Sequence, residues 1–282
     1  MSETLVVNEI YLSLQGESTF AGLPCIFIRL TACDLRCSYC DTAYAFVEGN
    51  RKSVAEIRAE VERLARPFER MRSAECGVRS PKFEVQSLKA EVQSPRSVHP
   101  PQFCYGGREV RGYRLPLVEL TGGEPLLQRN SLPLMRALCD EGYTVLLETS
   151  GAHDVAAVDP RVRRIMDLKC PGSGEVARNR WENLRQLKGT DEIKFVIATR
   201  EDYEWARECI VEHRLAGICP LLFSWAHPLA AGQQDKSLKP VPAGQTPIPC
   251  QELAEKIIAD ALPVRFQVQL HKVIWPPEKR GV

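Results

Sequence analysis

The chain has 282 residues, 44% of them hydrophobic and 26% charged, with 37 basic against 36 acidic side chains and a net charge of +1. This is the composition of a globular protein of one large domain or two ordinary ones. A near-zero balance excludes the whole-chain electrostatic footprint of a nucleic-acid or acidic-membrane binder, and no run of 18 apolar residues is present to span a membrane. The first residues, MSETLVVNEIYLSLQG, carry acids at Glu3 and Glu9 and no basic n-region, so they do not read as a signal peptide and a cytoplasmic location is expected. Eleven cysteines cannot all pair, and in a reducing compartment free buried thiols and metal-bound thiolates are expected instead.

Val6–Leu12 opens the readable elements, and Cys25–Thr31 (CIFIRLT) follows as a β-rich run. A helix is expected from Val54 to about Arg66. Ser53 and Glu56 form a capping box at its start, and Val54, Ile57, Val61 and Leu64 recur at helical spacing. Leu115–Leu120 reads as a strand ending in TGGEP, Ser131–Glu141 as a helix, and Thr144–Glu148 and Val162–Asp167 as strands. Glu182–Leu187 is expected to be helical, Glu192–Ala198 a strand, Arg200–His213 a helix and Ile218–Ser224 a strand. Cys250–Ala261 then gives a helix and Val264–Leu270 a last strand. Strands alternating with helices at this pitch predict βα units and a mostly parallel sheet. Six or seven strands suit a partly closed barrel, since too many residues lie elsewhere for a full eightfold one.

Two stretches interrupt the pattern. Residues 67–114 hold five prolines, an EVQS echo at 84–87 and 91–94, and nine basic against five acidic residues. Residues 227–249 hold five more prolines. Both read as loop insertions in a single domain spanning 1–282.

Three cysteines cluster as Cys33-x-x-x-Cys37-x-x-Cys40, directly after the second strand. Three soft thiolates on one loop select zinc, copper(I) or an iron–sulfur cluster. A structural zinc site normally takes a fourth protein ligand, which His271 or Cys170 would have to provide. A [4Fe–4S] cluster on three cysteines instead leaves one iron open. Thr121-Gly122-Gly123-Glu124-Pro125 lies at the C-terminal end of the next strand, where barrels of this type place ligands. Its glycines allow close backbone approach, and Glu124 could receive an ammonium.

The CxxxCxxC spacing resembles the radical S-adenosylmethionine superfamily. There the open iron is chelated by the cofactor, and electron transfer from the cluster cleaves the sulfonium to release a 5′-deoxyadenosyl radical. The resemblance narrows with NEIYLSLQGES, CSYCDT at 37–42, Glu148-Thr149-Ser150-Gly151, Asp167-Leu168-Lys169-Cys170-Pro171 and Gln269-Leu270-His271-Lys272. Together these are similar to the 7-carboxy-7-deazaguanine synthase family, which converts 6-carboxytetrahydropterin to 7-carboxy-7-deazaguanine with loss of ammonia, on the way to queuosine and other 7-deazapurines. The implied fold is α/β, a partial (β/α)6-type radical SAM barrel.

The resemblance implies that Cys33, Cys37 and Cys40 hold the cluster and Thr42 binds Mg²⁺. It implies that Tyr39, Cys40, Asp41, Gly123, Glu124, Ser150, Asp167 and Lys169 bind S-adenosylmethionine. The pterin falls to Leu14, Gln15, Gly16, Glu17, Arg29, Thr121, Glu148 and His271, with Arg29 matched to its carboxylate. No side chain need carry the radical, and the cofactor is regenerated. A homodimer and a flavodoxin or ferredoxin as electron donor are also implied, with no nucleic acid or membrane partner. The chain departs from the family pattern at Ser18, where glycine is usual, and at Phe223-Ser224-Trp225-Ala226, which makes Ser224 a weaker candidate. Two rival readings share some motifs: an enzyme installing a glycyl radical on a partner protein, and a zinc-binding RNA-interaction protein using the basic 67–114 arm.

Overall fold

The computed structural model describes residues 3–75, 113–276 and 279–282. Strands β1 (Thr4–Leu14) and β2 (Pro24–Leu30) pair as an antiparallel hairpin, and β3 (Asn50–Ser53) adds to the far edge of β1. From β2 onward every pairing is parallel. Next to β2 stand β4 (Leu117–Gly122), β5 (Val145–Thr149), β6 (Arg163–Asp167), β7 (Glu192–Ile197), β8 (Leu221–Trp225) and β9 (Arg265–Gln267), in that order. Among the described residues the sheet runs β3-β1-β2-β4-β5-β6-β7-β8-β9, with β3 and β9 as its two edges. The expected partial barrel is therefore observed, and it is open on one side.

Side chains alternate across each strand, and the alternation sorts the core. On the outer face α1 (Val54–Glu75) and α2 (Ser131–Asp140) bury Ile57, Val61, Leu134 and Leu138 against Ile26, Ile28, Val118 and Leu120. Helices α3 (Arg200–Glu212) and α4 (Cys250–Ala259) bury Tyr203, Ala206, Leu253 and Ile257 against Ile193, Phe195 and Phe223. The inner face changes character along the strands. Its N-terminal end is an apolar floor of Cys25, Phe27, Leu117, Leu146, Ile165 and Leu222, sealed by Phe20. Two residues further along the same faces come Glu119, Glu148, Asp167 and Ser224, with Lys194 on β7. A polar layer thus sits on an apolar plug.

The open side is crossed by residues 15–23, the connection between β1 and β2. Gln267 on β9 brackets Ser18, its Oε1 accepting from Ser18 N at 3.0 Å and its Nε2 donating to Ser18 O at 2.6 Å. Thr19 N and Oγ1 donate to the Glu192 carboxylate at the base of β7. Ser18 takes φ 65°, the left-handed region that favours glycine. Its hydroxyl accepts from Phe20 N at 3.1 Å, a local bond that serine makes and glycine could not.

Several expectations are corrected. The last strand ends at Gln267 rather than Leu270, because Leu270 N donates to Gly16 O at 3.0 Å and the chain turns into α5 (Leu270–Ile274) over the crossing segment. Helix α1 begins at the expected capping box, with Glu56 N donating to Ser53 Oγ at 3.2 Å, but it runs through Pro67 to Glu75. The first insertion therefore starts later than position 67. Trp181–Gln186 is a 3₁₀ helix, and β3 was not foreseen, since NRKS has no strand pattern. Most of the basic arm, including the EVQS echo, lies outside the described residues.

Replacing Gln267 with leucine strands a buried N–H and a buried C=O on Ser18 while keeping side-chain bulk. It is expected to lower unfolding free energy by about 2–4 kcal/mol, measured by chemical denaturation beside the parent.

Candidate active site

The C-terminal ends of the strands open into a cavity of about 550 Å³. The cysteine loop forms one wall. It leaves β2 at Leu30 and is held on both sides of Cys37. Arg36 N donates to Glu175 Oε1 at 2.7 Å, and Ser38 donates through its N to Ser173 O at 3.0 Å and through Oγ to Gly172 O at 2.6 Å. Gly172 N in turn donates to Asp202 Oδ1 at 2.6 Å, at the capped start of α3. Cys33, Cys37 and Cys40 all line the cavity, and none is in a disulfide. Burial pushes the Cys33 and Cys37 thiols up to about 11 and raises Cys40 as well, with the Lys169 ammonium opposing the shift at Cys37. Among the described residues no three His, Cys, Asp or Glu side chains converge on a point that would seat a single ion. The thiols stand along a wall.

The glycine turn after β4 meets this loop. A Cβ on Gly123 would lie 1.9 Å from the Ala32 carbonyl oxygen, so only glycine lets the two backbones pass. Glu124 departs from expectation. It is fully buried, off the cavity wall, and accepts from Leu126 N, Thr149 Oγ1, Ser150 N and Ser150 Oγ at 2.6–3.0 Å. It shapes the turn and presents Ser150, and it is not positioned to receive an ammonium.

Asp167 and Lys169 line the cavity beneath the cysteines as an ion pair of 2.6 Å. Burial disfavours the lysine charge, but the negative charges of Asp167 and Cys37 and the Asp167 hydrogen bond together outweigh it and raise the pKa. Asp167 Oδ1 and the Tyr39 hydroxyl are buried without a protein partner, although both residues line the cavity. Thr42 Oγ1 lies 3.7 Å from Cys40 Sγ. Asp41 is taken up by Lys272 Nζ at 2.6 Å and Gln269 Nε2 at 3.1 Å, which joins the cysteine loop to α5. The donor set of three free thiols, a nearby ammonium and two orphaned oxygens fits an iron–sulfur cluster with an organic cofactor beside it.

The opposite wall carries Leu14, Gln15, Gly16, Glu17, Arg29, Thr121, Glu148 and His271. Arg29 stands directly across from Glu9 on β1, donating to its carboxylate at 2.7 Å and to the Tyr11 hydroxyl at 2.8 Å. Those two bonds leave other N–H groups of the guanidinium for a ligand. Gly16 packs so closely on His271 that a Cβ there would lie 2.6 Å from Nδ1. Burial lowers the His271 pKa and favours the neutral imidazole.

Sequence reasoning missed Lys194 and Glu119. Lys194 Nζ pairs with Glu148 and, at 3.1 Å, with Glu17 of the crossing segment. Burial opposes the Lys194 and Glu148 charges, yet the Glu148 and Glu17 carboxylates raise Lys194 and Lys194 holds Glu148 low. Glu119, 2% exposed, accepts from Gln15 Nε2. Burial and then the Glu148 charge lift its carboxyl well above the usual range. The available signal was the spelling of EIKFVI and LVELTG, where charges interrupt strands that are otherwise core.

A half-open barrel with a three-thiol loop above a polar layer defines a radical S-adenosylmethionine enzyme. No protein-family model matches the chain. It is 41% identical to the 7-carboxy-7-deazaguanine synthase of Koribacter versatilis, across 98% of this chain and 99% of that protein. It is 36% identical to the enzyme of the same name from Chlorobaculum tepidum, across 99% and 97%. In fold it resembles the crystal structure of QueE from Escherichia coli, with a TM-score of 0.59 over 95% of both chains at 20% identity. The chain belongs to the 7-carboxy-7-deazaguanine synthase family, lyases of 7-deazapurine biosynthesis.

Glu119→Gln keeps an acceptor for Gln15 but cannot ionise. A carboxyl whose folded pKa is raised contributes its stability below the unfolded value and loses it as pH rises through the folded one. The variant is therefore expected to match the parent at acid pH and to become progressively more stable than it towards neutral and alkaline pH. Denaturant midpoints across pH check this, and a constant difference would contradict the raised carboxyl.

Proposed function

We propose that the two walls divide the conversion of 6-carboxy-5,6,7,8-tetrahydropterin to 7-carboxy-7-deazaguanine between them. Cys33, Cys37 and Cys40 hold the [4Fe–4S] cluster. Tyr39, Asp41, Gly123, Ser150, Asp167 and Lys169 surround S-adenosylmethionine, with Tyr39 Oη and Asp167 Oδ1 as hydrogen-bonding groups left for it. The cluster and S-adenosylmethionine, when bound, would together supply reversible hydrogen-atom abstraction. Thr42 offers Mg²⁺ a hard oxygen, in keeping with an ion that takes few protein ligands and more from substrate and water.

The remaining residues bind and orient. Arg29 receives the substrate carboxylate on the N–H groups that Glu9 and Tyr11 leave over. Glu148, held low by Lys194, and Glu17 beside it accept from the amino-pyrimidinone edge, and neutral His271 can accept or donate beside them. Leu14, Gly16 and Thr121 complete the wall. The apolar floor excludes water from below. In this reading the chain is one core domain with insertions, acting in the cytoplasm as a homodimer and reduced by a flavodoxin or ferredoxin. No nucleic acid or membrane takes part. The observation that carries the reading is the meeting of the cysteine loop, the TGG turn and the SLQGE segment around one cavity that retains two unpartnered buried oxygens.

Anaerobic reconstitution followed by S-adenosylmethionine, Mg²⁺, reductant and the pterin should yield 7-carboxy-7-deazaguanine without stoichiometric loss of S-adenosylmethionine, as read by mass spectrometry. Accumulation of 5′-deoxyadenosine with the pterin intact would refute the substrate. Arg29→Met is expected to raise KM for the pterin by about 10–100-fold, the size of a lost charge-assisted hydrogen bond. Steady-state kinetics measure that loss, and a change in kcat alone would remove Arg29 from substrate binding.

A further inference from the structure

The Pro-rich 227–249 segment reads as an inert insertion, yet one of its residues reaches the cysteine loop. Lys239 N donates to Arg36 O at 2.9 Å, while its Nζ donates to Gly174 O at 2.8 Å and pairs with Glu175 Oε2 at 2.9 Å. The other Glu175 oxygen accepts from Arg36 N at 2.7 Å. Both polar groups of Arg36's backbone, immediately before Cys37, are thus held by the two residues of one ion pair. Glu175 acts through its carboxylate and Lys239 through its backbone N–H, which the Nζ contacts to Glu175 and Gly174 keep in place. Glu175 is 5% exposed and is itself fixed, since its N donates to Ser173 Oγ at 3.0 Å. Gly174, at φ 71°, brings the lysine stem close enough that a Cβ there would lie 3.1 Å from Lys239 Cδ. An exposed ion pair would contribute little. Here one partner is buried and both also hold backbone groups, so the pair fixes the path of the loop.

We propose that Lys239 and Glu175 are positioning residues for the cysteine loop, and that the 227–249 segment acts through them to retain the iron–sulfur cluster and set its potential. The inference rests on the assignment of that cluster to Cys33, Cys37 and Cys40. Groups that orient metal ligands from behind typically change affinity or activity by about 10–100-fold when lost, and solvent access and hydrogen bonding tune cluster potential.

The test compares the reconstituted holoenzyme with Lys239→Met, Lys239→Arg and Glu175→Gln. The readouts are cluster bleaching in air, midpoint potential by redox titration, and KM for the pterin. Lys239→Met is expected to bleach about tenfold faster and to shift the potential, with the pterin KM unchanged. Lys239→Arg should recover most of the lifetime. Combining Lys239→Met with Glu175→Gln should add little to either, because they break one clamp. Bleaching and potential equal to the parent in Lys239→Met would overturn the proposal, as would a bleaching defect that Lys239→Arg does not repair. A parent that assembles no cluster would instead overturn the cluster assignment, and the clamp with it.

Discussion

The buried ammonium of Lys194 is the constraint on which the rest of the site depends. Seven parallel strands that fail to close leave a side open to water, and a polar layer facing that gap would simply be solvated. The β1–β2 connection fills the gap, and Lys194 ties it inward by pairing Glu17 of the connection with Glu148 of β5. Removing the lysine from such a set leaves two uncompensated carboxylates, at a cost of about 3–5 kcal/mol. One cation thus joins the closure of the barrel to the orientation of the carboxylates lining the cavity. Its strand supplies the reason for its place. The inner face of β7 is Glu192, Lys194, Val196, and Glu192 is spent at the base on Thr19.

The same economy of charge recurs around the cavity. Lys169 is matched by Asp167, Asp41 by Lys272, and Arg29 by Glu9. Each pair crosses between elements or loops that must stay in register around the cavity, or fixes a side chain within it. What is left unmatched is informative for that reason. Two buried oxygens without partners, those of Tyr39 and Asp167, face a cavity where nearly every other polar atom is satisfied, and they are what the proposed cofactor would complete.

Much of the fold was legible from local rules. The Ser53–Glu56 capping box and the period of Val54, Ile57 and Val61 placed α1, and βα alternation gave a parallel, partly closed barrel. The failures have physical causes. Pro67 reads as a helix end, but tertiary packing of Ala65 and its neighbours on the sheet carries α1 past it. Val264–Leu270 spells a strand, but at an edge the backbone of Leu270 found a better acceptor in Gly16 than a further strand could provide. Lys194 and Glu119 were passed over because charges in strands read as solvent-facing, which fails inside a barrel with a polar upper layer. That most of the motif residues would gather around one cavity was legible, since loops after parallel strands converge by topology alone. Their pairings were not, because partners such as Glu9, Lys272 and Glu175 are distant in sequence.

Glu124 shows why a motif residue's role cannot be taken from its position. In sequence it follows two glycines at a ligand-binding turn, and a carboxylate there suggests direct contact with a cation. In the folded chain its oxygens accept from four donors drawn from its own turn and from the end of β5. A carboxylate has about four lone-pair sites, so its accepting capacity is filled from within. The glycines explain the inversion. Gly123 must press against Ala32 for the turn to meet the cysteine loop, and a backbone bent that tightly exposes N–H groups that need an acceptor from below. Glu124 is that acceptor. By binding Ser150 through both N and Oγ it also locks the β4 and β5 loops into one unit.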